Sequence, residues 1–323
     1  MKFQRALVTG GLGLIGSHLV ERLLDEKVHV TVIDNNFTGD ISNLGAYSSN
    51  NLLKVISGDI VDSVLINEEM REAEFCFHLA AALGVKRILS APITSYRTNV
   101  NGSENVLSAA SKHKVPVFIA SSSEIYGKNS QQPLTEDSDR VLGSPLNIRW
   151  TYSEAKALDE SLAQMYAQEE GLKFVIGRFF NTVGPRQTGD YGMVLPRFVS
   201  SALKNQDLEV YGDGTQTRVF CHVQDAVDGL IGLVENESAF GDAFNIGGVG
   251  EISINELAAK VIEITKSQSK IRHIPYSQAY SKGFEETFRR VPETTKIQNL
   301  TGWQAKRGLE DIIRSVMSFM KSE

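Results

Sequence analysis

Tyr152 and Lys156 are the residues whose types and spacing are best suited to moving a proton. They stand four apart in YSEAKALDESLAQMYAQEEG (152–171), an amphipathic stretch closed by a glycine, so both fall on one face of a predicted helix. An ammonium beside a phenol favours the phenolate and lowers its pKa from about 10. A tyrosine tuned in this way takes a proton from a hydroxyl near neutral pH. The Y-x-x-x-K spacing is common by chance, but among the nine tyrosines here it occurs once. A second chemical stretch, SSSEIYG (121–127), follows an apolar run and offers three hydroxyls and the carboxylate of Glu124. Glu124 is either an acid or base in its own right or a polar wall beside a working hydroxyl.

A third feature is TGGLGLIG, with Gly10, Gly13 and Gly16 between an apolar strand and a helix. Glycine permits positive φ and a close approach of backbone to a pyrophosphate, and the helix N-terminus offers unpaired N–H groups. Asp34, at the end of the next strand, has the spacing at which an acid bonds the adenosine ribose hydroxyls. A carboxylate there repels a 2′-phosphate, so NAD is expected over NADP. Asp59, in SGDI after the third strand, either reaches the adenine or ends its strand in a simple turn.

The elements that position these groups alternate strand and helix. RALVTG, HVTVID, LLKVISGD, EFCFHLAA, VPVFIASSS and KFVIGRFF read as strands, and LIGSHLVERLLDE and the segment from Pro92 to His113 read as helices. This alternation predicts an α/β fold, a Rossmann-type doubly wound parallel sheet, with a smaller, mostly helical C-terminal lobe. The expected domains are 1–180, with elements from about 219–236, and a substrate lobe over 181–323. A ligand is expected between the lobe and the carboxyl ends of the strands. The 323 residues are 41% hydrophobic and 22% charged, with net charge −6, which argues against a nucleic-acid or anionic-membrane partner. Neither a signal peptide nor a spanning segment is read, so a cytoplasmic enzyme is expected. Two cysteines without metal spacing and six scattered histidines predict no metal site.

Taken in order, TGGLGLIG, HLAA, SSSEIYG, YSEAK and FFNTVGPR resemble the extended short-chain dehydrogenase/reductases that act on nucleotide sugars. In the second half, GMVLPRFVSSAL, LEVYGDGTQTRVFCHVQDAVDGL and FNIGG resemble the substrate lobe of UDP-sugar epimerases and decarboxylases. The resemblance implies a tightly held NAD, Tyr152 as base, Lys156 on the nicotinamide ribose and Ser122 as the bridging hydroxyl. It implies a cofactor wall of Gly10, Gly13, Leu14, Ile15, Gly16, Asp34, Asn35, Asp59, Ile60, Leu79, Ala80 and Ala81, supported by Asn99. On the substrate side it implies Ser123, Asn181 and Arg218 at the diphosphate and sugar, with Arg186 nearby and Arg289 or Arg290 as a further cation. Tyr211 either stacks on the base or packs under its loop. It also implies a homodimer formed through a helix bundle that includes the Tyr152 helix.

The chemistry was narrowed by departures from the family pattern. In 4,6-dehydratases the positions of Ser123 and Glu124 resemble an Asp–Glu pair, and a serine is a poor acid for a leaving hydroxide. UDP-glucuronate decarboxylases share Glu124 but resemble one another in an arginine where Met193 stands here, with Arg186 and Arg197 as possible substitutes. These departures make an NAD-dependent UDP-sugar 4-epimerase the main expectation, with UDP-glucuronate decarboxylation as the alternative and 4,6-dehydration behind it.

Overall fold

The computed structural model describes residues 1–82, 84, 91–187, 189, 193–279 and 285–322. Seven strands form one sheet: β1 (Arg5–Thr9), β2 (His29–Asp34), β3 (Leu53–Ser57), β4 (Phe75–His78), β5 (Val117–Ser122), β6 (Phe174–Phe179) and β7 (Asp242–Ile246). Their order is β7-β6-β5-β4-β1-β2-β3 and every pairing is parallel. The apolar, β-branched runs of the inner strands are what a sheet covered on both faces requires. The edge strand β3 is the half-exposed exception.

Eight longer helices accompany the sheet: α1 (Leu14–Asp25), α2 (Ser63–Arg71), α3 (Gly102–His113), α4 (Thr151–Glu170), α5 (Val194–Leu203), α6 (Val223–Val234), α7 (Ile254–Thr265) and α8 (Leu309–Ser322). One face of the sheet is covered by α1 and α6 through Leu19, Leu23, Val227 and Leu230. The other is covered by α2, α3 and α4 through Ile66, Val106, Leu107 and Ala163. Helix α6, within 219–236, packs on the sheet, which then reaches further along the chain to recruit β7. Because the chain leaves β1 toward β2 on one side and β4 on the other, the strand order reverses there, opening a crevice at the carboxyl ends.

Local signals explain the ends of these helices. Gly171 takes a left-handed φ of 74° and closes α4. Ser253 and Glu256 form a reciprocal capping box on α7. The stretch from Pro92 to His113 is helical throughout, but a π-helical turn at Arg97–Asn101 separates Pro92–Tyr96 from α3.

The lobe packs α5, α7 and α8 around Phe198, Leu208, Leu257 and Ile312. It also holds short strands. Leu208–Tyr211 pairs with Ile271–Ile274. Thr217–Val219 lies between Glu251–Ser253 and Arg289–Arg290, with Arg218 and Arg290 as register partners. Among the described residues no helix is long and apolar enough to cross a membrane.

Candidate active site

The crevice begins at the glycine turn. A Cβ on Gly10, whose φ is 72°, would lie 2.7 Å from the Ala80 backbone nitrogen, and one on Gly16 would lie 2.1 Å from the Gly10 carbonyl oxygen. Those two glycines are required by the packing of the chain itself. Gly13 is different: a Cβ there would meet only an ordinary contact at 3.5 Å. Its bareness keeps open the space over the start of α1, where no side chain caps the first N–H groups. That is a cradle for a diphosphate.

Asp34 accepts from Leu12 N at 3.0 Å and Asn36 N at 2.9 Å, and a carboxylate keeps acceptor capacity beyond two such bonds. Burial pushes its carboxyl above the ordinary value against the pull of those bonds. Asn35 donates to Asp59 at 2.9 Å, and Asp59 accepts from Val61 N at 3.1 Å. Leu14, Ile15, Ile60, Leu79, Ala80 and Ala81 complete this wall. Glycine turn, acidic strand end and apolar wall together fit NAD. Asn99 lies behind the wall, not in it. Its amide accepts from Ala82 N at 2.6 Å and donates to Ala82 O at 2.9 Å, so it holds the 79–82 segment in place.

Tyr152 and Lys156 share the cleft-facing side of the first turns of α4. The Lys156 ammonium bonds Asp159 at 2.9 Å, with both side chains 2% exposed. Burial opposes its charge, but Asp159 and then Tyr152 outweigh that and hold its pKa above the ordinary value. The phenol of Tyr152 hydrogen-bonds Ser122. Its pKa stands above the ordinary value of 10, where the Lys156 spacing alone predicts a lower one. Burial is the largest cause, Glu124 and Asp159 add to it, and Lys156 and Ser122 pull the other way.

Beside this pair lies a cluster of charges. Glu124 is bonded by Arg290 at 2.5 Å and by Arg149 at 2.7 Å. Burial opposes its ionisation, but the two guanidinium groups more than offset it and hold the carboxyl far below the ordinary range. Ser122 caps the turn that carries Glu124, accepting from Glu124 N at 3.2 Å. Ser123 is buried and accepts from Arg290 at 3.4 Å.

The substrate half is lined by Asn181, Tyr211, Arg218, Arg290 and Met193. Arg218 is paired with Glu286 at 2.7 Å, and burial pulls its pKa down. Asn181 donates to Val219 O at 2.8 Å. Of the two cations offered as substitutes at Met193, Arg186 is paired with Glu21 of α1 at 2.6 Å, and Arg197 lies over the Tyr211 ring at 4.2 Å. Among the described residues, Thr182 Oγ1, Gln187 Oε1, Arg197 Nε, Gln216 Oε1 and Arg290 Nε are buried cleft atoms without a hydrogen-bond partner. Such atoms cost about 1–3 kcal/mol each unless a polar ligand meets them. The segment 190–192, before Met193, lies outside the described residues.

Sequence reasoning missed Arg149, Glu286 and Asp159. Arg149, in the short 3-10 turn Ile148–Trp150, and Glu286, in a loop, have partners distant in sequence, and no local pattern marks them. Asp159 had a signal: it stands three residues after Lys156 on the same helix.

The geometry agrees with the comparisons. A Bacillus cytotoxicus protein named UDP-N-acetyl-alpha-D-glucosaminuronate decarboxylase is 41% identical over 318 residues, spanning 96% of this chain and 97% of that protein. An Arabidopsis thaliana protein named UDP-glucuronic acid decarboxylase 4 is 36% identical over 95% of this chain and 66% of its own length. Among solved structures, the Bacillus cereus UDP-glucuronic acid 4-epimerase in complex with UDP-glucuronic acid and NAD superposes with a TM-score of 0.88 at 25% identity. That match covers 98% of this chain and 99% of the other. Residues 7–316 match the sequence profile described as GDP-mannose 4,6 dehydratase. With that match and the NAD cradle, the chain belongs to the GDP-mannose 4,6 dehydratase family of extended, NAD-dependent short-chain dehydrogenase/reductases.

Proposed function

We propose that this chain removes CO₂ from a nucleotide-activated uronic acid. The observation that carries this reading is the Arg149–Glu124–Arg290 cluster in the cleft beside Tyr152. Epimerisation, the main expectation from sequence, needs only Tyr152, Lys156 and Ser122 and leaves that cluster without a task. The names of the two curated relatives support the same choice.

Bound NAD supplies a reversible hydride acceptor for a sugar carbon. Tyr152 takes the proton of the sugar hydroxyl, and the Lys156 ammonium stabilises the phenolate that takes it. Ser122 hydrogen-bonds Tyr152 and is the hydroxyl available to bridge to the sugar. A ring carbonyl at C4 stands β to a C5 carboxylate, so the C–C electron pair moves into the carbonyl as CO₂ leaves. The resulting enolate takes a proton at C5, and return of the hydride to C4 and of the Tyr152 proton to its oxygen restores the hydroxyl. The two arginines and one glutamate carry a net positive charge, which receives the carboxylate. The fixed anion of Glu124 limits how tightly it is held and favours neutral CO₂. Arg290 keeps Nε as an uncommitted donor. Ser123, in the place of a dehydratase acid, has no acidic proton to give.

The test is incubation of the purified protein with UDP-glucuronate, UDP-N-acetylglucosaminuronate, UDP-glucose and UDP-N-acetylglucosamine, with products separated by mass. Loss of CO₂ from one of the two acids is the expected outcome. An isomer of unchanged mass would return the assignment to the 4-epimerase, which Met193 in the cleft wall favours.

We further infer a homodimer. Ile93 and Tyr96 on the Pro92–Tyr96 turn are 68% and 54% exposed, and Leu158 and Met165 on the neighbouring α4 are 42% and 45% exposed. A second copy of this surface is the occupant that a helix-bundle interface requires.

A further inference from the structure

Lys156 is tied from behind as well as to Tyr152. Asp159, 1% exposed, bonds its ammonium at 2.9 Å and faces Ser103 of α3, whose hydroxyl donates to Asn99 O at 2.6 Å. Ser103 Oγ lies 3.0 Å from Nε2 of His78, at the end of β4. The other ring nitrogen, Nδ1, is 2.8 Å from Thr9 Oγ1, at the end of β1 beside Gly10. Thr9 Oγ1 also accepts from Ala80 N at 3.3 Å. Ser103 spends its proton on Asn99 O, so Nε2–H donates to Ser103 and the threonine hydroxyl donates to Nδ1. Burial holds His78 neutral, its pKa down to about 3, so this single tautomer persists across the working range. All these residues are 0–1% exposed and the chain ends on the backbone at Asn99 O and Ala80 N. It is a rigid frame beneath the cofactor turn, with no route for protons to solvent.

We propose that Asp159 is a positioning residue which, through Lys156, sets the pH at which Tyr152 begins to act as a base. Its carboxylate offsets the burial that disfavours the lysine's charge. It also offsets part of the ammonium's pull on the phenol, so ionisation is held back until the substrate and cofactor complete the site. The charged groups facing the pair from the packed elements are Glu124, itself neutralised by Arg149 and Arg290, and Glu160, which is bonded to Arg178. Asp159 is the anion in direct contact with the lysine. Without it, the ammonium acts on the phenol unopposed, and Tyr152 releases its proton at a lower pH.

This inference rests on Tyr152 being the base, so its test does not depend on turnover alone. Tyrosinate absorbance is titrated in the cofactor-free protein and in Tyr152→Phe, and the difference isolates Tyr152. The wild-type phenol is expected to ionise above the ordinary value of about 10. A value well below that would mean the ammonium acts unopposed, and would overturn the proposal. In Asp159→Asn the difference titration and the acidic limb of the kcat/KM profile should both move down by roughly one pH unit. Asp159→Glu should restore them, and unmoved curves in a folded variant would refute the idea. Asp159→Ser, which also removes the charge but leaves room for water, carries the same expectation if the asparagine variant does not fold. If the titration shifts but no substrate turns over, the decarboxylase reading fails while this one stands.

Discussion

Glu124 changes meaning between sequence and structure. In SSSEIYG it reads either as an acid or base or as a polar wall, whereas its two arginine bonds keep it ionised over the whole working range. A proton-transfer role therefore falls to Tyr152. Tyr152→Phe should lower kcat by about 10²–10⁴ with NAD retention unchanged, measured by turnover and by cofactor released on denaturation. Glu124→Gln should remove the anion from between two buried guanidinium groups, at roughly 3–5 kcal/mol in stability, read by thermal melting. Tyr152 and Lys156 were legible as a pair because four residues on a helix is a short fixed spacing, whereas Ser122 was placed only by resemblance, counting back from Tyr126–Gly127. Arg149 was not: its partner Glu124 lies 25 residues earlier in a different element, and a single arginine in a three-residue 3-10 turn gives no sign of what it will meet.

At the scale of elements, legibility followed the length of the periodic signal. The inner strands and α1 and α4 are long enough for apolar spacing to declare them. The lobe strands, such as Arg289–Arg290 and Thr217–Val219, are too short to show a period of two, and their pairing depends on partners far along the chain. The π-helical turn at Arg97–Asn101 was also hidden, since one extra residue in a helix leaves the apolar pattern nearly intact. That turn carries Asn99, so Asn99→Ala should leave Ala82 N and O without their partners. A loss of about 1–3 kcal/mol and weaker NAD retention are expected, by melting and by cofactor titration. Helix α1 carries a pH response. His18 is buried, with Nδ1 2.9 Å from the Leu14 carbonyl, and burial brings its pKa down to about 4 from 6.5. The unfolded chain thus binds the extra proton first. The contribution of His18 is whole above pH 6.5 and is lost as pH falls toward 4, by up to roughly 3 kcal/mol. Denaturant unfolding across that window should show the fall, and His18→Leu should flatten it.

For the whole molecule, the reversal of strand order between β1 and β4 decides where the ligand lies, and that much followed from the alternation of strands and helices. How far the sheet extends did not, because β7 is separated from β6 by the lobe segments that carry α5 and several short strands. The proposed dimer has its own check. Leu158→Glu should convert the assembly to monomers in sedimentation, since a charge cannot be buried at an apolar helix seam without a partner. The neighbouring strands that carry Arg218 and Arg290 have a further consequence. Adjacent strands sit about 4.8 Å apart, so the backbones that carry these two cations are held at a fixed separation. Under the proposed function the lobe would then act as a gauge of length. A nucleotide sugar with its negative groups at the matching interval should satisfy both cations at once, and a bare nucleoside diphosphate should bind more weakly in a competition titration.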